Sequence, residues 1–237
     1  MDLGLKNKVA LVTAGSRGLG RATVMALLNE GARLLVVARA SDALDEVGAI
    51  APERCKILAG DLLDPAVPQK AVETALTHFG SLDVAIINTP GPRPVMPLDA
   101  EDEDFSAAFD STFYPAVRLV KLTSAAMRKT GWGRIVIISS TSVKAPKPFL
   151  SLSSAARSAL WAWAKSAAPE LYQDGVTVNA IFAGPHETER AIELGVKDRV
   201  IGQPEDFGNF VTSLCGDASR FITGASFIVD GGELRGI

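Results

Sequence analysis

Seven short apolar runs constrain this chain more than any other feature. They are KVALVTAG, RLLVVAR, KILAGD, LDVAIINT, RIVIISS, VTVNAIFAG and SFIVDGG, each a few residues of Val, Ile, Leu and Ala. Their apolar residues are continuous rather than alternating, the pattern of strands covered on both faces. Segments of helical period lie between them. LGRATVMALLNEGA follows the first run and stops at Gly31, a suitable C-cap, and PAVPQKAVETALTHFG follows the third. Strand alternating with helix implies right-handed crossovers and a parallel sheet with helices on both sides. No repeat, low-complexity tract or linker interrupts residues 1–237, so one domain is expected. The Pro-rich patch TPGPRPVMP, residues 89–97, follows a strand directly, at the edge where doubly wound sheets bind ligands.

The turn after the first strand is TAGSRGLG, residues 13–20, and a helix follows it. Gly15, Gly18 and Gly20 suit a tight turn, a close backbone approach and close helix packing. The helix N-terminus then presents free N–H groups to a diphosphate. A purely structural Gly-rich turn is the plainer alternative. Arg39 closes the second strand, where an acid would bind the ribose 2′-hydroxyl of NAD and an arginine can pair with the 2′-phosphate of NADP. Arg17, inside the loop, can reach the same phosphate, unless both arginines are merely solvated. Asp61, in AGDLL, suits a hydrogen bond to the adenine amino group, or a plain Asx turn.

Composition narrows the field. A formal charge of −3 gives no general pull toward nucleic acid or an anionic membrane. No apolar segment approaches the ~20 residues of a membrane span. MDLGLKNKVALV lacks a long apolar run with a cleavage site, so no secretory leader is expected. Cys55 and Cys215 lie far apart with no metal or CxxC spacing, so reduced thiols, a cytoplasmic location and no metal are expected.

These motifs together resemble the short-chain dehydrogenase/reductase family, from Lys8 to Gly232. TAGSRGLG is similar to the family's TGxxxGxG loop, GDLLD to its adenine-side segment, INTPG to NNAG and GRIVIISS to the strand of the catalytic serine. GVTVNAIFAGPHET is similar to VNxxxPGxxxT, and FITGASFIVDGG to TGxxxxVDGG. The resemblance implies a Rossmann-type doubly wound parallel sheet of seven strands, helices on both faces, and NADP(H) as cofactor. It assigns Ser16, Leu19, Leu62, Asn88 and Thr89 to the nucleotide, with Ala183, Gly184, His186 and Thr188 on its nicotinamide side. It further implies a small-molecule substrate and a homodimer or homotetramer. Trp161 and Trp163 would lie at the subunit contact or in the core.

The family's catalysis rests on Asn, Ser, Tyr and Lys. The serine falls on Ser140, but the tyrosine and lysine of YxxxK fall on Ser153 and Arg157, and the asparagine on Thr112. A serine hydroxyl is a far weaker acid than a phenol of pKa ~10 and is too short to reach the same substrate oxygen. Arg157 can still bond ribose hydroxyls but cannot relay protons. The nucleotide half of the site survives and the proton-transfer half does not.

Three ways out remain at this level. Another acid can stand in: Tyr114, His186 or Lys144, whose plainer roles are helix packing, a surface loop and a solvated loop. The substrate can be an activated C=O, C=N or C=C bond that needs no protein acid. Or the reaction is not redox, and a cyclase, isomerase or lyase uses the nucleotide as a wall. A catalytically inactive NADP-binding regulator is the further alternative. The segment ERAIELGVKDRVI after Thr188 is shorter than the family's substrate loop. That implies an open pocket, a bulky substrate or help from a neighbouring subunit. Arg93 is placed to meet an anionic substrate.

Overall fold

A computed structural model describes residues 2–195 and 201–235. Its strands among these residues are β1 (Val9–Thr13), β2 (Arg33–Ala38), β3 (Cys55–Ala59), β4 (Val84–Ile87), β5 (Gly133–Ser140), β6 (Val176–Ala183) and β7 (Ser226–Val229). They form one sheet in the order β3-β2-β1-β4-β5-β6-β7. Every pairing is parallel.

The helices are α1 (Gly18–Asn29), α2 (Asp42–Ile50), α3 (Ala66–Phe79), α4 (Asp102–Ala108), α5 (Tyr114–Met127), α6 (Ser151–Gln173), α7 (Glu189–Glu193) and α8 (Pro204–Ser213). Two buried clusters sandwich the sheet. One joins Leu35, Val37, Ile135 and Ile137 to residues of α3, α5 and α6. The other joins Leu34, Val36, Val136 and Ile138 to residues of α1, α2 and α8. Adjacent residues of one strand thus enter opposite cores, which is why the runs are continuous. Each fully buried Leu, Ile or Val contributes roughly 1.5–3 kcal/mol. The outer strands β3 and β7 are less covered, and Ile228 of β7 is among the exposed apolar residues.

Gly31 sits just past α1 with φ of 79°, the C-cap role its place in the sequence predicts. The strand order reverses between β1 and β4, and the crevice at that point opens at the carboxyl edge. The Thr13 hydroxyl fastens it: it donates to the Asn88 carbonyl at 2.8 Å and accepts from the Asn88 N–H at 3.0 Å.

Candidate active site

The glycine turn is cut to shape by its neighbours. A Cβ on Gly20 would lie 2.2 Å from the Ala14 carbonyl oxygen, and one on Gly15 2.6 Å from Val36 Cγ1. Ala14 stands at the first glycine of TGxxxGxG and takes φ of 48°, a left-handed conformation that non-glycine residues adopt at a cost. No side chain caps the N-terminus of α1, and no acid lies in its first turn. Its N–H groups and positive dipole end are therefore available to an anion.

Beside the turn is a cavity of about 490 Å³. Ser16, Arg17, Arg39, Ser41, Asp61 and Leu62 are among its lining residues. Arg17 and Arg39 are exposed, and neither is in an ion pair among the described residues. Two unpaired guanidinium groups on one cavity suit a phosphate. Asp61 accepts from the Leu63 N–H at 3.0 Å, an Asx turn, while still lining the cavity. Thr188 caps α7, its hydroxyl accepting from Ala191 N–H at 3.3 Å. It also stands opposite Gly18, 3.3 Å from where a Cβ there would lie.

The altered positions come together around the end of β4. Arg157, 8% exposed, donates from Nε to the Ser153 hydroxyl at 3.2 Å, from Nη1 to the Ile138 carbonyl at 3.1 Å and from Nη2 to the Thr89 carbonyl at 3.3 Å. It therefore ties α6 to the ends of β4 and β5. These partners occupy the groups that the resemblance would turn to the ribose. Burial, then the nearby Arg190 charge, pull its pKa down to about 10, so it stays charged at neutral pH. Thr112 is fully buried in the π-helical turn Phe109–Phe113 and donates to the Pro90 carbonyl at 3.2 Å. Arg157 and Thr112 thus grip adjacent residues of one segment. Ser140 accepts from the Ser142 N–H at 3.2 Å.

Arg157→Ala would leave two carbonyls and a hydroxyl without their donor, at roughly 1–3 kcal/mol each when buried. Relief of a buried charge offsets part of this. The expected net loss is about 2–3 kcal/mol, a fall in Tm of roughly 4–12 °C by circular dichroism. An unchanged or raised Tm would mean that the bonds do not stabilise the fold.

The candidate acids are not gathered into this network. Tyr114 is 45% exposed at the start of α5, its ring edge-on to Phe113 and beneath Arg118, so it is not packed in the core. His186 is not a surface residue. It is 4% exposed, held by a 3.0 Å contact of Nδ1 with the Gly184 carbonyl, and its ring meets Phe207 edge-on at 5.2 Å. Lys144 is exposed. Arg93 is not free for a substrate, because it is paired bidentately with Asp104 at 2.7 and 2.5 Å. That pair gave no signal in the sequence. Nor did Arg190, which reaches from α7 to the Pro92 carbonyl at 3.2 Å. The Pro-rich segment does join the start of α6: Val95 N–H donates to the Phe149 carbonyl at 3.0 Å, and Ser151 to the Val95 carbonyl at 3.0 Å.

Trp161 and Trp163 pack against the core cluster, Trp161 edge-on to Phe182 at 5.9 Å. Cys55 and Cys215 are buried free thiols, which burial pushes up to about 11 and about 12, far from reactive thiolates. No group of metal-ligating residues occurs among the described residues, and no described helix is long and apolar enough to cross a membrane. Part of the shortened substrate loop, residues 196–200, lies outside the described residues.

A parallel sheet with its switch point beside a glycine turn and an anion-ready helix end defines a dinucleotide-binding α/β protein. The short chain dehydrogenase profile matches residues 8–198, and the chain belongs to that family. It is 33% identical over 241 residues to a 3-oxoacyl-[acyl-carrier-protein] reductase of Synechocystis, with 96% of this chain and 97% of that one covered. The Escherichia coli 3-oxoacyl-[acyl-carrier-protein] reductase is 28% identical over 240 residues, covering 97% and 98% of the two chains. Among solved structures, L-sorbose reductase of Gluconobacter frateurii, complexed with NADPH and L-sorbose, superposes with a TM-score of 0.93 at 27% identity and covers 100% of both chains. YwfH, an NADPH-dependent reductase involved in bacilysin biosynthesis, gives 0.91 at 25% identity, covering 98% of this chain and 100% of that one.

Proposed function

We propose that this protein is an NADP-dependent reductase that acts on an activated C=O, C=N or C=C bond of a small molecule without a protein phenol as proton donor. One observation carries the reading. Arg17 and Arg39 line one cavity beside the glycine turn, neither in an ion pair among the described residues, while Ser153 and Arg157 at the proton-transfer positions bond to each other. The reductases named above support it, the L-sorbose enzyme having been solved with NADPH.

The residues fit that nucleotide. The bare N-terminus of α1 and Gly18 would hold the diphosphate, Arg17 and Arg39 the 2′-phosphate, and Thr188 the nicotinamide side. When bound, NADPH supplies a hydride for an electrophilic carbon. The chain's own contribution is to place that carbon beside Ser140, whose hydroxyl hydrogen is left to donate because its oxygen accepts from Ser142. Ser153, accepting from Arg157, is no acid of phenolic strength. The product's proton then comes from water or from the substrate. The same reading carries a homodimer or homotetramer and a cytoplasmic location.

The test is turnover followed at the reduced-nicotinamide absorbance, with a panel of iminium, enone and activated ketone substrates. Oxidation of NADPH by at least one is expected. General acid catalysis contributes about 10²–10⁴-fold, so Ser153→Ala is expected to keep kcat within about tenfold, with a level pH profile between about 6 and 9. A hundredfold fall would make Ser153 a participant in proton transfer. Turnover without any absorbance change would replace the proposal with non-redox chemistry.

A further inference from the structure

A buried guanidinium is costly unless an anion meets it. Two such arginines occur among the described residues, and they are treated differently. Arg134, 2% exposed, has the Asp217 carboxylate at 3.7 Å and the Trp132 ring 4.3 Å away. Among the described residues Arg157 bonds to neutral partners: one hydroxyl and two carbonyls. No carboxylate pairs with it among the described residues. After burial, a second cation, Arg190, also pulls its pKa down.

The two cations bracket one stretch of chain. Arg157 holds the Thr89 carbonyl from below the end of β4, and Arg190 holds the Pro92 carbonyl from α7. Arg190 Nη2 would lie 3.6 Å from a Cβ on Gly91. Its own carboxylate, Glu193 at 3.1 Å, is an exposed (i, i+3) partner, with side-chain exposures of 45% and 63%. Such a pair is weak and easily exchanged. The two guanidinium groups hold carbonyls three residues apart, and like charges with no shared anion among the described residues repel each other. The arrangement becomes favourable when a ligand brings the negative charge.

We infer that the face where residues 89–92 meet α7 takes a substrate bearing a carboxylate, which meets Arg190 directly and is favoured by the fixed charge of Arg157 on the same stretch of chain. This gives arginine at position 157 a purpose that lysine would serve less well. The planar fork bonds two backbone carbonyls and a hydroxyl at once, so the charge cannot swing away. The inference deepens the reductase reading and rests on it for the location of the substrate.

The test uses protein saturated with NADPH, so that the nucleotide's own phosphates are already placed. Three unreactive carboxylates (acetate, benzoate and 3-phenylpropanoate) are titrated by calorimetry beside their neutral amides. At least one acid is expected to bind roughly ten- to hundredfold tighter than its amide, the worth of one charge-assisted contact. Arg190→Ala is expected to erase that difference, and Arg190→Lys to keep part of it. Circular dichroism confirms that both variants fold. Equal binding of acid and amide, no binding of any acid, or a preference that survives Arg190→Ala would overturn the inference. Failure of NADPH to bind would instead count against the reductase reading, and the acid–amide comparison on the free protein would still decide the anion site.

Discussion

Replacing Arg17 and Arg39 together with alanine is expected to lower NADPH affinity by about 10²-fold or more and to leave NADH affinity within a few-fold. Both guanidinium groups face one cavity with Ser16 and Ser41, and neither has a carboxylate partner among the described residues. A hydrogen bond to a charged group is worth roughly 1.5–3 kcal/mol. Both side chains are exposed, so salt screening holds each to the lower end of that range. Two such contacts still amount to about a hundredfold. Fluorescence titration of the wild type and the double variant with each nucleotide measures the effect. Raising the salt concentration should narrow the gap between NADPH and NADH. Equal loss of both nucleotides would point to damage in the turn instead. A wild type that does not prefer NADPH would end the NADP assignment.

Gly20→Ala is expected to abolish binding of either nucleotide and to destabilise the fold. The added Cβ would sit 2.2 Å from the Ala14 carbonyl oxygen, 3.0 Å from its carbon and 3.1 Å from Gly15 Cα. All three are backbone atoms, so no side chain can turn aside. Ala14 already has φ of 48° and little room to move. Overpacking costs about 1–3 kcal/mol, and backbone contacts put this case at or above the upper figure. That corresponds to a Tm fall of roughly 6–12 °C. Gly80→Ala is the control: it has φ of 80° but no atom within 4 Å of the new Cβ. It should lose only the ~1–2 kcal/mol of the left-handed backbone and bind nucleotide normally. Normal binding by Gly20→Ala, shown by the same titration, would mean that the turn can open without consequence.

Both effects concern features that are local in the chain, and such features were readable from the sequence. The unbroken apolar runs mark strands covered on both faces, because neighbours such as Val136 and Ile137 feed opposite cores. The close approach at Gly15 and Gly20 is made within a few residues of the turn or by the adjoining strand, so residue type betrays it. The substitutions of Ser153 and Arg157 were visible as departures from a pattern of fixed spacing.

Charge partners and burial were not readable, because they are set by contacts between distant parts of the chain. Arg157 meets Thr89 across 68 residues, and Arg190 meets Pro92 across 98. Nothing near His186 in sequence announces Phe207, which with the Gly184 carbonyl turns a loop histidine into a buried peg. Arg93 looks free until α4 brings Asp104 to it. The sheet, the glycine turn and the absent phenol were legible in residue order, since these depend on side-chain period and steric demand over short spans. Which arginines meet a carboxylate and which do not emerges with packing, since that depends on which backbone carbonyls and carboxylates the assembled elements bring within hydrogen-bonding reach.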